Sequence, residues 1–158
     1  MSCILNIETS TSVCSVALSM DGEVLFAKAS FDGPSHAALL GVFVEEALSV
    51  LKKKGKKALD AVAVSSGPGS YTGLRIGVSV AKGLCFGFGI PLIGIHTLDI
   101  MAATVNSKGD SQIVSMTDNC LYCAMLDARR MEVYAAIYDA SLKPARETKA
   151  DIVEVGTY

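Results

Sequence analysis

The chain has 158 residues, enough for one domain or two small lobes, and its formal net charge of −2 argues against a strong intrinsic field for nucleic acid. It is 51% hydrophobic with a mean hydropathy of +0.42, so part of its surface is expected to meet a partner. Five cysteines without framework spacing suit a reducing cytoplasm, and no basic region precedes the first apolar run as a secretory signal requires.

Residues 4–7, 13–19 and 23–30 read as three short strands, with the polar join Glu8 to Ser12 and a tight Asp21-Gly22 hairpin between them. Asp32-Gly33-Pro34 ends this meander, Ser35 is placed to cap a helix over 36–54, and Gly55 stops it after Lys52, Lys53 and Lys54. That helix is apolar around most of its circumference, from Leu39, Leu40 and Val42 to Val50 and Leu51. One sheet needs a stripe of about 100°, so a second covering surface is expected.

A β-branched run over 60–64 then leads into Ser-Ser-Gly-Pro-Gly-Ser-Tyr-Thr-Gly-Leu-Arg, residues 65–75. Gly67 and Gly69 can adopt angles that other residues avoid, Pro68 fixes its own φ, and Ser70 or Thr72 can cap the helix that follows. Strand, tight turn and helix start mark a site for an anion or for another protein. A P-loop is excluded because Gly73 follows Gly67 at six residues and is followed by Leu74, and Thr72 breaks the dinucleotide fingerprint.

The helix over 72–88 carries Gly73, Gly77, Gly83 and Gly87, each costing about 1 kcal/mol against alanine in a helix interior. Gly73, Gly77 and Ala81 share one face, a groove for close backbone approach, and Arg75, Ser79 and Lys82 form a separate polar stripe. Residues 91–95 read as a parallel strand reached by a right-handed crossover. The stretch 83–98 holds glycines and a proline and reads as helix end plus strand, not as a membrane span. A helix over 98–106, a polar linker over 108–118 and strands over 121–127 and 131–138 follow, and 143–158 shows no element. Cys120 and Cys123 form a lone C-x-x-C, read as small core residues near a strand start.

Four stretches carry a family resemblance: ILNIETSTSVCSVAL from Ile4, the glycine turn continuing to Ala81-Lys82-Gly83-Leu84, IPLIGIHTL from Ile90, and LDARRMEVY from Leu126. In order and spacing they resemble the bacterial TsaB (YeaZ-type) proteins, glycoprotease-like by older names, which assist threonylcarbamoyladenosine formation in tRNA. The resemblance implies an α/β chain of the actin-like ATPase (ribonuclease-H-like) fold. Its N-terminal lobe is expected over 1–107, and 108–158 is expected to begin a second lobe that is cut short.

The same resemblance implies a non-catalytic subunit that supports a TsaD-type transferase with a TsaE-type ATPase at adenosine 37 of tRNA. Both long helices would pack against a partner's pair, through Leu40, Phe43, Val44 and Ala47 on the first and Gly73, Gly77 and Ala81 on the second, with a homodimer as the stand-in. The protein would be cytoplasmic, would touch tRNA only indirectly and would hold no tight cofactor, ATP entering only through the complex. Thr9, Ser10, Thr11, Ser12, Gly67, Gly69 and Ser70 are the candidate phosphate-contact loops. Glu8 stands where ATPase relatives start their phosphate turn with aspartate. TsaD-type enzymes hold metal through two histidines whose matching positions here are Thr97 and Met101, and neither can replace an imidazole. His96 and His36 are the two histidines present, and no G-x-S-x-G elbow occurs. Asp127, Arg129, Arg130 and Glu132 read as a solvated ion-pair cluster, and the lysines at 52–57 as a solvated helix end with a weak tRNA contact as the other reading. The competing function is an ATP-binding hydrolase or glycoprotease-like enzyme using the two turns.

Overall fold

The computed structural model describes residues 2–32, 36–55, 58–108 and 120–157, the side chains of 106–108 excepted. The helix cap expected of Ser35, Lys56 and Lys57 of the basic run, and nearly all of the expected linker lie outside these residues. Two compact units divide between Ile95 and His96.

The first unit is a five-stranded sheet in the order β3-β2-β1-β4-β5. β1 (Cys3–Glu8), β2 (Cys14–Met20) and β3 (Glu23–Ser30) form the antiparallel meander. Its hairpin turns at Asp21 and Gly22 with φ of 50° and 88°, the two positive angles of a type I′ turn. β4 (Ala61–Ser65) pairs parallel with β1, and β5 (Leu92–Ile95) pairs parallel with β4. α1 (His36–Lys53) joins β3 to β4, and α2 (Tyr71–Phe88) joins β4 to β5. This is the expected actin-like, ribonuclease-H-related lobe.

Alternation places Cys3, Leu5 and Ile7 of β1 on the face that also buries Cys14, Val16 and Leu18 of β2. Asn6 occupies the opposite face and donates to Ser19 Oγ at 3.2 Å. Central β4 is buried throughout, as a parallel strand covered on both sides should be. Leu40, Phe43, Val44, Ala47 and Leu51 form one stripe of α1 and close over this face, with Ala81 of α2 in the same core. The apolar excess expected on α1 is largely absorbed within the unit: Leu39, Leu48 and Val50 pack half-buried against the core, and Val42 remains 47% exposed.

The second unit begins with α3 (Thr97–Lys108) and an antiparallel sheet of β6 (Tyr122–Arg129), β7 (Glu132–Tyr138) and β8 (Pro144–Ile152). The expected boundary after residue 107 is corrected here, because α3 buries Leu98 and Ala102 with Ala124, Ala136 and Tyr138 of this sheet. The stretch from 143, expected to hold no element, contains β8. Its residues are largely exposed, so no period-2 pattern marks it, and it exists through backbone pairing with β7. At the β6–β7 turn, Arg129, Arg130 and Met131 all take positive φ, 68°, 55° and 60°. For residues with a side chain this conformation costs about 1–2 kcal/mol apiece.

Tyr138 O–H donates to Asp99 Oδ1 at 2.5 Å and ties β7 to the first turn of α3. Burial first, then this bond and the Asp99 charge, push the phenol far above its ordinary 10.0. The folded state therefore keeps Tyr138 protonated where the unfolded chain ionises. Stability from this group is complete below pH 10.0 and is lost as pH climbs from there towards the higher folded value. Tyr138→Phe should lose about 1 kcal/mol at neutral pH by removing the bond. It should also flatten the fall in melting temperature above pH 10.0 relative to the parent chain. Parallel alkaline melting curves for the two would refute this account.

Candidate interaction site at the glycine turn and helix α2

β4 delivers the chain to Ser66, whose N–H donates to Ile95 O at 2.8 Å at the far end of β5. The backbone then turns through Gly67 (φ 106°), a cis Gly67–Pro68 peptide and Gly69. Ser70 caps α2 by accepting from Gly73 N at 3.3 Å, and Gly89 (φ 66°) ends the helix in the left-handed region.

This turn is pressed onto the join between β1 and β2. Ser70 N donates to Ser10 O at 2.6 Å. A Cβ at Gly69 would sit 2.3 Å from Ser10 O, one at Gly73 2.1 Å from Thr9 O, and one at Gly77 2.2 Å from Thr9 Oγ1. The glycines expected to admit a partner's backbone thus admit the chain's own. Gly83 and Gly87 have open space beyond them, and nothing in the structure explains them.

All of the candidate phosphate-contact residues except exposed Ser12 and half-buried Thr11 lie in or beside this contact. Their main-chain groups are used within the fold: Ser70 N donates to Ser10 O, and Ser10 N donates to the Glu8 carboxylate at Oε1, 2.6 Å away. Thr11 Oγ1 accepts from Val13 N at 3.2 Å, fastening its own turn. Thr9 and Ser10 are buried, and their hydroxyls have no hydrogen-bond partner among the described residues. The turn is therefore packed as a socket for α2.

Every residue assigned to a partner interface from the sequence lies inside the first unit. Leu40, Phe43, Val44 and Ala47 face its sheet, and Gly73, Gly77 and Ala81 are the buried residues of α2. The reason is helix phase: small residues spaced four apart meet the β1–β2 join, which sequence spacing alone does not reveal. The outward face of α2 is the opposite one, and it carries the stripe that the sequence marked as polar. Tyr71, Leu74, Arg75, Val78, Ser79 and Lys82 line an open groove of about 260 Å³. Tyr71 is 74% exposed, and Arg75 lies over its ring at 5.3 Å while donating to Tyr71 Oη at 3.2 Å. Phe86, one helical repeat beyond Lys82, is 92% exposed. α2 carries no acidic residue, so this face is apolar and positive.

In the second unit, Thr97 is buried and Met101 packs against the α3 core, while His96 is exposed. Among the described residues no group of three or more His, Cys, Asp or Glu could hold a metal ion. Cys123 is exposed, and its thiol is pushed above its ordinary value by desolvation, with Arg146 opposing and Asp151 adding. A protonated thiol is a poor nucleophile and a poor ligand. Lys52, Lys53 and Lys54 are exposed at the end of α1. Among the described residues no helix is long and apolar enough to cross a membrane.

Comparison with known proteins finds relatives of this chain in one family. A family model described as TsaD, tRNA N6-adenosine threonylcarbamoyltransferase, matches residues 32–155. The chain is 38% identical over 139 residues to the tRNA threonylcarbamoyladenosine biosynthesis protein TsaB of Escherichia coli, covering 85% of this chain and 54% of that protein. Its identity to the TsaB protein of Bacillus subtilis is 30% over 135 residues, with 85% and 54% covered. It thus spans about half the length of these curated relatives. The solved structure of YeaZ from Pseudomonas aeruginosa superposes with a TM-score of 0.79 at 30% identity, over 98% of this chain and 69% of that one.

Proposed function

The chain belongs to the TsaB (YeaZ-type) group within the TsaD family, and from that premise we propose that it is a non-catalytic subunit of the machinery that forms N6-threonylcarbamoyladenosine at position 37 of tRNA. It supports a TsaD-type transferase, together with a TsaE-type ATPase, in a cytoplasmic complex. The observation that carries the reading is the division of labour on α2. Its inner face is consumed by the β1–β2 join, and its outer face is an open apolar and basic groove. Such a surface suits a helical partner whose own face supplies apolar contacts and carboxylates. A second copy of the protein takes the place of the transferase when it is absent. ATP and tRNA are engaged through the assembled complex.

Reconstitution tests this directly. The protein is combined with TsaD-type and TsaE-type proteins of its own organism, tRNA, ATP and threonylcarbamoyl-adenylate, and modified adenosine is quantified. Product should depend on the protein, and the protein alone should give none. Equal product in its absence would overturn the proposal.

A further inference from the structure

The outward face of α2 is palindromic in residue type. Tyr71, Arg75, Lys82 and Phe86 run aromatic, cation, cation, aromatic, at intervals of four, seven and four residues. At 3.6 residues per turn all four fall within about 60° of one another, a single stripe opposite the buried Gly73, Gly77 and Ala81. All four are exposed, and Arg75 and Lys82 line the open groove with Ser79 between them. They are the only charged residues of α2. An antiparallel copy of α2, laid along the stripe about a two-fold axis near Ser79, therefore sets Arg75 against the copy's Lys82 and Lys82 against its Arg75. No shift of register supplies a carboxylate. On α1, Glu46 is held by Lys28, and Glu45 is not among the groove residues, which come from α2 alone.

We propose that this stripe is a charge filter: it weakens pairing of α2 with its own copy and keeps the face for a helix of the transferase subunit that presents two carboxylates about two turns apart. The inference rests on the proposed docking of the transferase at this face. Charge complementarity selects the occupant. Two carboxylates a heptad apart meet Arg75 and Lys82 together, and they do so in either helix direction because the stripe reads the same from both ends. Tyr71 and Phe86 then supply an aromatic anchor at each end, and Tyr71 already carries the Arg75 guanidinium over its ring. A second copy offers the same two aromatic anchors but brings cations to cations, and it is the weaker occupant for that reason alone. Specific interfaces use such repulsion against the wrong partner as well as attraction to the right one.

The test is sedimentation equilibrium of the full chain alone, at low and high sodium chloride. Salt should strengthen self-association of the parent chain by screening the apposed cations. Arg75→Glu alone, or Lys82→Glu alone, sets a carboxylate against a cation of the copy, and each should strengthen self-association about tenfold or more at low salt. The double exchange restores like charges and should return to the parent's level, while a mixture of double variant and parent chain should pair. Binding to the transferase should respond with the opposite sign: each single exchange weakens it about tenfold, and salt weakens it for the parent chain. Single variants that self-associate no better than the parent would overturn the charge filter, whether or not the transferase binds. A parent chain that does not bind the transferase would overturn the docking itself, and with it the occupant named here, whatever the single variants do.

Discussion

Gly73→Ala is expected to destabilise the first unit by about 3 kcal/mol or more, the upper end of what overpacking a close contact costs. The added methyl would sit 2.1 Å from Thr9 O, a main-chain atom held within the β1–β2 join, so neither neighbour has a rotamer to retreat into. Gly77→Ala meets a different obstacle, the Thr9 hydroxyl at 2.2 Å, with Thr9 Cβ at 3.4 Å behind it. Removing that hydroxyl with Thr9→Ala should therefore rescue Gly77→Ala by about 1–2 kcal/mol in a double-mutant cycle. It should do nothing for Gly73→Ala. Gly83→Ala serves as the control for helix propensity, since nothing lies within 4 Å of the new methyl, and it should stabilise by about 0.5–1 kcal/mol. Denaturant melts of the four single and two double variants decide the matter. If Thr9→Ala rescued both glycine variants equally, the main-chain contact at Gly73 would not be the limiting one.

This contrast also locates where sequence reasoning succeeds and where it stops. The meander, both crossover helices and the glycine turn are legible because they depend on local chemistry: alternation in β1 and β2, the Asp21-Gly22 turn, and a serine cap at Ser70. The lobe boundary and β8 are not, since each is set by long-range contacts, the cluster that joins Leu98 and Ala102 to Ala124 and Ala136 in one case and the β7 ladder in the other. The candidate site was half legible. That α2 has a small-residue face and a polar face follows from helical spacing, but which face points inward depends on Thr9, more than sixty residues earlier in the chain. A groove of small residues is equally good for a partner's backbone and for the chain's own. Spacing alone assigns the glycine stripe to a partner, and the structure gives it to the β1–β2 join.

That reversal changes which substitution tests the partner surface. A bulky charge at Gly77 would unfold the unit, so lost binding there would say nothing about the interface. Arg75→Glu together with Lys82→Glu acts on the exposed face instead, where both side chains project from the groove and neither supports the core. Melting should change by less than about 0.5 kcal/mol, as for other surface substitutions. Affinity for a TsaD-type partner should fall about 100-fold or more, because the exchange removes two attractions and introduces like-charge repulsion in a desolvated contact. Arg75 should contribute the larger share. It is already held over Tyr71 at 5.3 Å, so its guanidinium enters an interface with little ordering left to do, whereas Lys82 carries a freely rotating stem. Titration calorimetry with the purified partner, alongside modified adenosine in the reconstituted reaction, reads both effects. Wild-type affinity in a well-folded double variant would exclude the outer face of α2 as the docking surface and move the search to exposed Val42 on α1.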